Sequence, residues 1–431
     1  MSVLRAFAAI ALSVLVASAV APPATAGSPL GPDTKAVKFR ETFGLRTDAN
    51  YLASLQADSG MSTEFGVPLT LAEGRDLENR IAMQDRIGAL ADRIDELADR
   101  YGGIYIDQEA GGVIRILRVG KLGDDASLLA LAPTGSSVSV VAATYSLAEL
   151  RSVLAKVDAS ARDLDAAGMD IVSTGIDVRA NRVRVVMVEP SSADSESIRS
   201  AFGPSVDIAA GVHPQLAAAC ASRTNCGPPT VPIRGGLAIT GGGVGCTSGY
   251  VAKAAGGSQK YLVTAGHCTS KSGIGVNWSH NNVVLGKSDS TGYWDGTRAD
   301  AGTIKLTADP ATDNLLYAKD LSDQRKMAAR YSNSQMPVGA LMCRVGKNSA
   351  YDCGSVSMTN QSIHPLPDLF LLQNQWAVNF PSVLGDSGGT VFAGSTYGGV
   401  FSSTDTTTSW YSTMSAITDD LGVVPCLVAT C

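Results

Sequence analysis

Tyr261-Leu-Val-Thr-Ala-Gly-His-Cys268 decides how the C-terminal half of this 431-residue chain is read. A short apolar run leads through Ala-Gly directly into one of only four histidines. Similar runs recur from Arg234 onward, as in Thr303-Ile-Lys-Leu306. Gly- and Ser-rich turns separate them, and no helix pattern emerges before the last twenty residues or so. That alternation predicts an all-β sandwich or barrel. The imidazole of His267 stands at the end of one of its strands, so its partners must come from other turns.

Two further segments carry chemistry. Asp300 opens Asp-Ala-Gly-Thr-Ile-Lys-Leu306, a carboxylate at a strand entrance. Gly385-Asp-Ser-Gly-Gly389 sets Ser387 in a glycine-rich turn whose backbone can curl and aim N–H groups at a reacting oxygen. Acyl transfer needs a hydroxyl nucleophile, a base near neutrality and a buried carboxylate to hold that base, and Ser387, His267 and Asp300 supply those types. The N–H groups of Gly385 and Ser387 are the natural oxyanion donors, worth about 3 to 4 kcal/mol each. Asp295 is a rival for the carboxylate, but Gly296-Thr-Arg follows it instead of an apolar strand. His213, His280 and His364 sit in polar or Pro-rich contexts and read as surface residues.

The N-terminal half is built differently. After a polar, loop-like start, Met83, Ile87, Leu90, Ile94, Leu97 and Tyr101 form one stripe of a helix over 75–101, which Gly102-Gly103 stops. A hairpin follows, with strands 104–107 and 113–119 about a turn at Gly111-Gly112. The pattern repeats: a helix over 146–166 opened by a Ser146/Glu149 capping box, then a second hairpin turning at Asn181. Pro190 to Pro232, rich in Ser, Ala, Gly and Pro, reads as a linker or cleavage region, or else as an ordered excursion.

At 45% hydrophobic and 17% charged residues, the chain is too apolar to be disordered. Residues 233–431 carry 13 Lys/Arg and 13 Asp with no Glu, leaving 21 basic and 27 acidic residues in 1–232. No basic block exists, so nucleic acid is excluded as a partner. Arg5, an apolar run from Ala6 to Ala21, Pro22-Pro23 and Ala24-Thr-Ala26 form a secretory signal over 1–26. The run is short for a membrane anchor, and export lets eight cysteines oxidise. Proximity suggests the pairs Cys220/Cys226, Cys246/Cys268, Cys343/Cys353 and Cys426/Cys431, among 105 possible connectivities. No C-x-x-C occurs, which disfavours zinc, and neither metal nor cofactor is expected.

Thr264-Ala-Gly-His-Cys268 and Gly385-Asp-Ser-Gly-Gly389, in the order His, Asp, Ser, resemble the chymotrypsin-type serine peptidases, and in particular the secreted bacterial branch that includes alpha-lytic protease and the streptogrisins. The likeness covers about 233–425. It implies a catalytic domain over 233–431 made of two antiparallel six-stranded β-barrels, hydrolysing proteins or peptides as a monomer. Cys343-Arg-Val-Gly-Lys-Asn-Ser-Ala-Tyr-Asp-Cys-Gly354 looks like a family loop and implies a Cys343–Cys353 bridge; Cys246–Cys268 is implied similarly. Arg344 matches an internal arginine that pairs with the acid before the nucleophile, here Asp386. Ser402 matches a serine that supports the catalytic carboxylate. The α+β half over 27–232, with its two helix-hairpin units and linker, resembles pro-regions that fold and then inhibit such enzymes. Slow formation of non-local β pairing gives a reason for such a segment.

Departures from the family bear on specificity. Val383 stands where a bridged cysteine is usual, and Pro381 replaces the acid that would select basic residues. Cleavage after Arg or Lys is therefore not expected. Val400, Phe401, Ser402 and Ser403 follow the family's substrate-pairing strand, with Ser403 and Thr404 in place of glycines, which suggests small or medium apolar residues at the cut. Three other readings stay open: a secreted binding protein on a peptidase scaffold, an esterase, and an uncleaved N-terminal binding domain. An esterase elbow would run Ser, Asp, His, the reverse of this order.

Overall fold

Capping residues start the long helices. The Thr70 hydroxyl accepts from Glu73 N–H while the Glu73 carboxylate accepts from Thr70 N–H, opening Leu71–Gln84. Ser146 and Glu149 do the same for Leu147–Ala166. These elements come from a computed structural model that describes residues 32–57, 62–121, 123, 125–215, 232–307, 312–369, 371–405 and 407–427. The expected signal over 1–26 lies outside the described residues.

The single helix expected over 75–101 is two, Leu71–Gln84 and Gly88–Glu96. Their buried stripe of Met83, Ile87, Leu90 and Ile94 continues through the break. The break is pinned from outside: Leu341 N–H donates to Gln84 Oε1 at 2.8 Å, and the Tyr331 hydroxyl to Asp85 Oδ1 at 2.6 Å. Tyr101 already begins a strand, Tyr101–Asp107, with a register shift between Tyr101 and Gly103 where φ of Gly103 is +124°. The polar start contains the helices Pro32–Thr42 and Ala49–Ala57.

Each N-terminal unit has three strands. Tyr101–Asp107 pairs antiparallel with Val113–Val119, which pairs parallel with Val138–Ala143. Ile171–Asp177 and Arg182–Met187 repeat the hairpin, and Val206–Ala210 adds parallel after the helix Ser192–Phe202. The stretch read as a linker is thus ordered from Pro190 to Gln215, while 216–231 lie outside the described residues.

In the C-terminal half, six strands close on themselves: Leu341–Gly346, Ala350–Ile363, Leu372–Val378, Ser409–Thr413, Thr396–Thr404 and Thr390–Ala393. The other large sheet is an eight-stranded run from Val423–Pro425 at one end to Val244–Thr247 at the other. Its ends do not pair with each other among the described residues, so one six-stranded barrel is found where two were expected. A Cys246–Cys268 bridge ties its last strand to the short helix Gly266–Ser272 instead. Trp278, Leu262 and Ile304 fill this sheet.

One core runs through both halves. Phe39, Phe43, Phe65, Leu69 and Leu77 share a cluster with Val378, Phe392 and Tyr411 of the barrel. The sheets also join: Ile171–Asp177 pairs antiparallel with Ala350–Ile363, with Thr174 opposite Ser362. Among the described residues no helix is long and apolar enough to cross a membrane.

Candidate active site

Register brings His267 and Asp300 together. Thr264 at the end of Lys260–Thr264 pairs with Gly302 at the start of Gly302–Leu306. His267, three residues past the first, therefore meets Asp300, two residues before the second. His267 Nδ1 lies 2.7 Å from Asp300 Oδ2, and His267 N–H donates to Asp300 Oδ1 at 2.8 Å. The Ser402 hydroxyl donates to Asp300 Oδ2 at 2.6 Å. Asp300 N–H donates to Ser412 Oγ at 2.9 Å, and that hydroxyl donates to Gln375 Oε1 at 3.1 Å.

Burial pushes the Asp300 carboxyl up, but the charge and hydrogen bonds of His267, with the Ser402 hydroxyl, outweigh it and hold Asp300 below the ordinary aspartate value. An ionised carboxylate accepts only, so the neutral ring carries its proton on Nδ1 and presents a lone pair at Nε2. Nε2 is buried and, among the described residues, has no hydrogen-bond partner. Tyr293 packs edge-on against the ring at 5.7 Å and donates to Asp368 Oδ2 at 2.7 Å. Burial pushes its phenol far above the ordinary range, so it stays neutral.

The turn carrying Ser387 is clamped to the His267 sheet. Thr247 N–H donates to Ser387 O at 2.8 Å, and the Thr247 hydroxyl to Gly385 O at 3.0 Å. A Cβ on Gly388, at φ +88°, would lie 2.1 Å from Thr264 Oγ1 and 2.3 Å from Thr247 O, so only glycine permits this approach. Among the described residues neither the Gly385 nor the Ser387 N–H has an acceptor, whereas those of Asp386, Gly388 and Gly389 are used. The Ser387 hydroxyl donates to Ser402 O at 3.1 Å, and no hydrogen bond joins it to His267 Nε2. Ser402 thus touches Asp300 with its side chain and Ser387 with its backbone.

Arg344 lies fully buried beneath this turn. It pairs with Asp386 Oδ2 at 2.8 Å and Asp352 Oδ2 at 3.2 Å, and donates to Pro381 O at 2.9 Å. Its guanidinium carbon lies 5.4 Å from the ring centroids of both Phe380 and Phe401. Val400 and Phe401 belong to the main buried core, while Ser403 is buried with its hydroxyl unpartnered among the described residues.

Other residues singled out from sequence fall elsewhere. Asp295 is on the surface, paired with Arg162. His213, His280 and His364 are buried, at 9%, 2% and 6% exposure, contrary to the surface reading. Backbone carbonyls explain it: the rings of His213 and His280 bond His364 O and Ala238 O, each at 2.7 Å. Cys343 is bridged to Cys353. Cys426 is also disulfide-bonded, and Cys220, Cys226 and Cys431 lie outside the described residues. Cys246, His267 and Cys268 cluster, but the two sulfurs are bonded to each other and so offer no thiolate to a metal. Ser412, Gln375 and Tyr293 had no sequence signal, since their contacts exist only across strands.

A closed β-barrel joined to a second β-sheet, with a serine turn locked against a histidine–carboxylate pair, defines the class: the chain belongs to the chymotrypsin-type serine peptidases of bacteria. It is 31% identical over 179 residues to glutamyl endopeptidase 2 of Streptomyces griseus, covering 39% of this chain and 84% of that protein. It is 30% identical over 164 residues to streptogrisin-A of the same organism, covering 38% of this chain and 49% of that one. Among solved structures, Nocardiopsis protease is 24% identical with a TM-score of 0.40, covering 46% of this chain and 100% of that one. No protein-family model matches the chain.

Proposed function

We propose that the chain is an exported serine endopeptidase made with an inhibitory N-terminal half. The observation that carries this is the double hold of Asp300 on His267, through Nδ1 and the backbone N–H, which leaves a buried Nε2 lone pair without a partner among the described residues. In the reaction, the Ser387 hydroxyl turns from Ser402 O to Nε2 and gives up its proton as Oγ attacks a peptide carbonyl. The N–H groups of Gly385 and Ser387 receive the oxyanion. The imidazolium, steadied by Asp300, protonates the leaving amine. Water then enters, deprotonated by the same nitrogen, and releases the acyl group from Ser387.

The N-terminal half serves as the pro-region and occupies the cleft. Gln215 N–H donates to Thr404 O at 2.7 Å, and Leu366 N–H donates to Pro214 O at 2.9 Å. Thr404 lies two residues beyond Ser402, so the tail takes the sheet-edge position a substrate backbone needs. Pro381 offers no charge to a basic side chain, and the side chains of Ser403 and Thr404 narrow the entrance, which favours small or medium apolar residues at the cut.

A serine-directed fluorophosphonate tests the reading. The secreted C-terminal fragment should be labelled and its Ser387→Ala variant should not. An unlabelled fragment, freed of the N-terminal half and folded, would make the chain a binding protein on a peptidase scaffold.

A further inference from the structure

Two buried acids beneath the Ser387 turn share two cations, one buried and one, Lys35, partly exposed. Asp386 and Asp352 flank the Arg344 guanidinium, and all three side chains are almost wholly buried. One guanidinium cannot neutralise two carboxylates. The second positive charge comes from the other half of the chain: Lys35, on Pro32–Thr42, pairs with Asp352 Oδ1 and donates to Tyr351 O at 3.0 Å. On the Arg344 side, a single terminal nitrogen serves Ser349 Oγ, Asp352 Oδ2 and Pro381 O, although it carries only two protons. Asp352 therefore competes for the nitrogen that anchors the segment entering the serine turn.

We propose that Lys35 is a positioning residue: by taking up the charge of Asp352, it leaves Arg344 to hold Pro381 and Asp386 and so sets the Gly385–Ser387 turn while the two halves are docked. The inference rests on the pro-region reading above. Burial pushes the Asp352 carboxyl up, and the opposing pull of Lys35 is larger than that of Arg344. Lys35 from the helix, Arg344 from the adjoining strand and Asp386 from the turn are the charged groups around Asp352. Glu64, Asp323 and Arg325 gather at Tyr351 instead. Without Lys35, an ionised Asp352 draws on Arg344, and a protonated one does not.

The test uses the full chain, matured at mildly acidic and at neutral pH, with active sites counted by the fluorophosphonate. Lys35→Met should give about tenfold fewer labelled sites than wild type at neutral pH and approach wild type in acid. Lys35→Arg, and Asp352→Asn added to Lys35→Met, should each restore the count. If Lys35 merely anchors its helix, the loss is equal at both pH values and Asp352→Asn does not repair it; that result, or no loss at all, overturns the proposal. An unlabelled wild type would sink the endopeptidase reading alone. The coupling is then read from thermal unfolding of the full chain, where a deficit that ignores pH and Asp352→Asn overturns it equally.

Discussion

Replacing Ser402 by alanine removes one donor from Asp300 and leaves the Ser402 carbonyl that holds Ser387 in place. The lost bond is 2.6 Å long, made to a fully buried carboxylate. Hydrogen bonds to charged groups are worth about 1.5 to 3 kcal/mol. Asp300 keeps both bonds from His267, and part of the Ser402 bond acts equally before and during reaction, so the lower figure applies. That corresponds to a fall in kcat of about tenfold, with KM little changed. The variant also changes the pH dependence. A carboxyl held below its ordinary value supports activity and stability above that range and loses this as pH falls through its native value. With one fewer donor Asp300 is less depressed, so Ser402→Ala should lose activity in acid at higher pH than wild type. Ser402→Thr keeps the hydroxyl and should stay close to wild type. Steady-state kinetics against pH on a peptide anilide, corrected by active-site titration, measures both effects. An unchanged kcat and acid limb in Ser402→Ala, or an equal loss in Ser402→Thr, would refute the role given to this bond.

Two other expectations concern charge. Arg344→Ala leaves Asp386 buried without its cation; because Asn348, Ser349 and Val383 still donate to it, the cost sits near the low end of the range for broken buried pairs, about 3 kcal/mol. A roughly hundredfold drop in kcat/KM is expected, and wild-type activity would dismiss the assigned partner. Asp158 sits where the halves meet, accepting from Thr174 and, at 3.2 Å, from Ser362. Burial raises its carboxyl above the ordinary value despite those bonds, so docking is favoured in acid and weakens as pH climbs through the raised value. Inhibition of the freed enzyme by its N-terminal half should follow that slope, and Asp158→Asn should flatten it.

The placement of the His267 and Ser387 segments was legible because each depends on local backbone demands: a strand end before His267, glycines around Ser387. Both hairpins and the Ser146 cap were legible for the same reason. The break after Gln84 was not, since the apolar stripe stays in phase across it and the cause, a contact with Leu341, is 257 residues away. Lys35 carried no signal at all, because its meaning depends on a carboxylate brought up by the fold. The buried histidines were misread because a neighbouring polar sequence does not reveal a carbonyl arriving from another strand. The orientation of Ser387 toward Ser402 also lay beyond residue patterns.

The strand Ala350–Ile363 borrows Ile171–Asp177 as a neighbour along part of its length. Cut free of residues up to Gln215, that margin would stand open to water with its amides and carbonyls unanswered, a template for stray strands of other molecules. Its pairing with Leu372–Val378 already slips at Val356/Met358, Met358/Gln361 and Gln361/Ile363. The covered border itself shifts register between Thr359 and Ser362, and a strand bent by such irregularities would, if uncovered, be a poorer template for fibrous self-association.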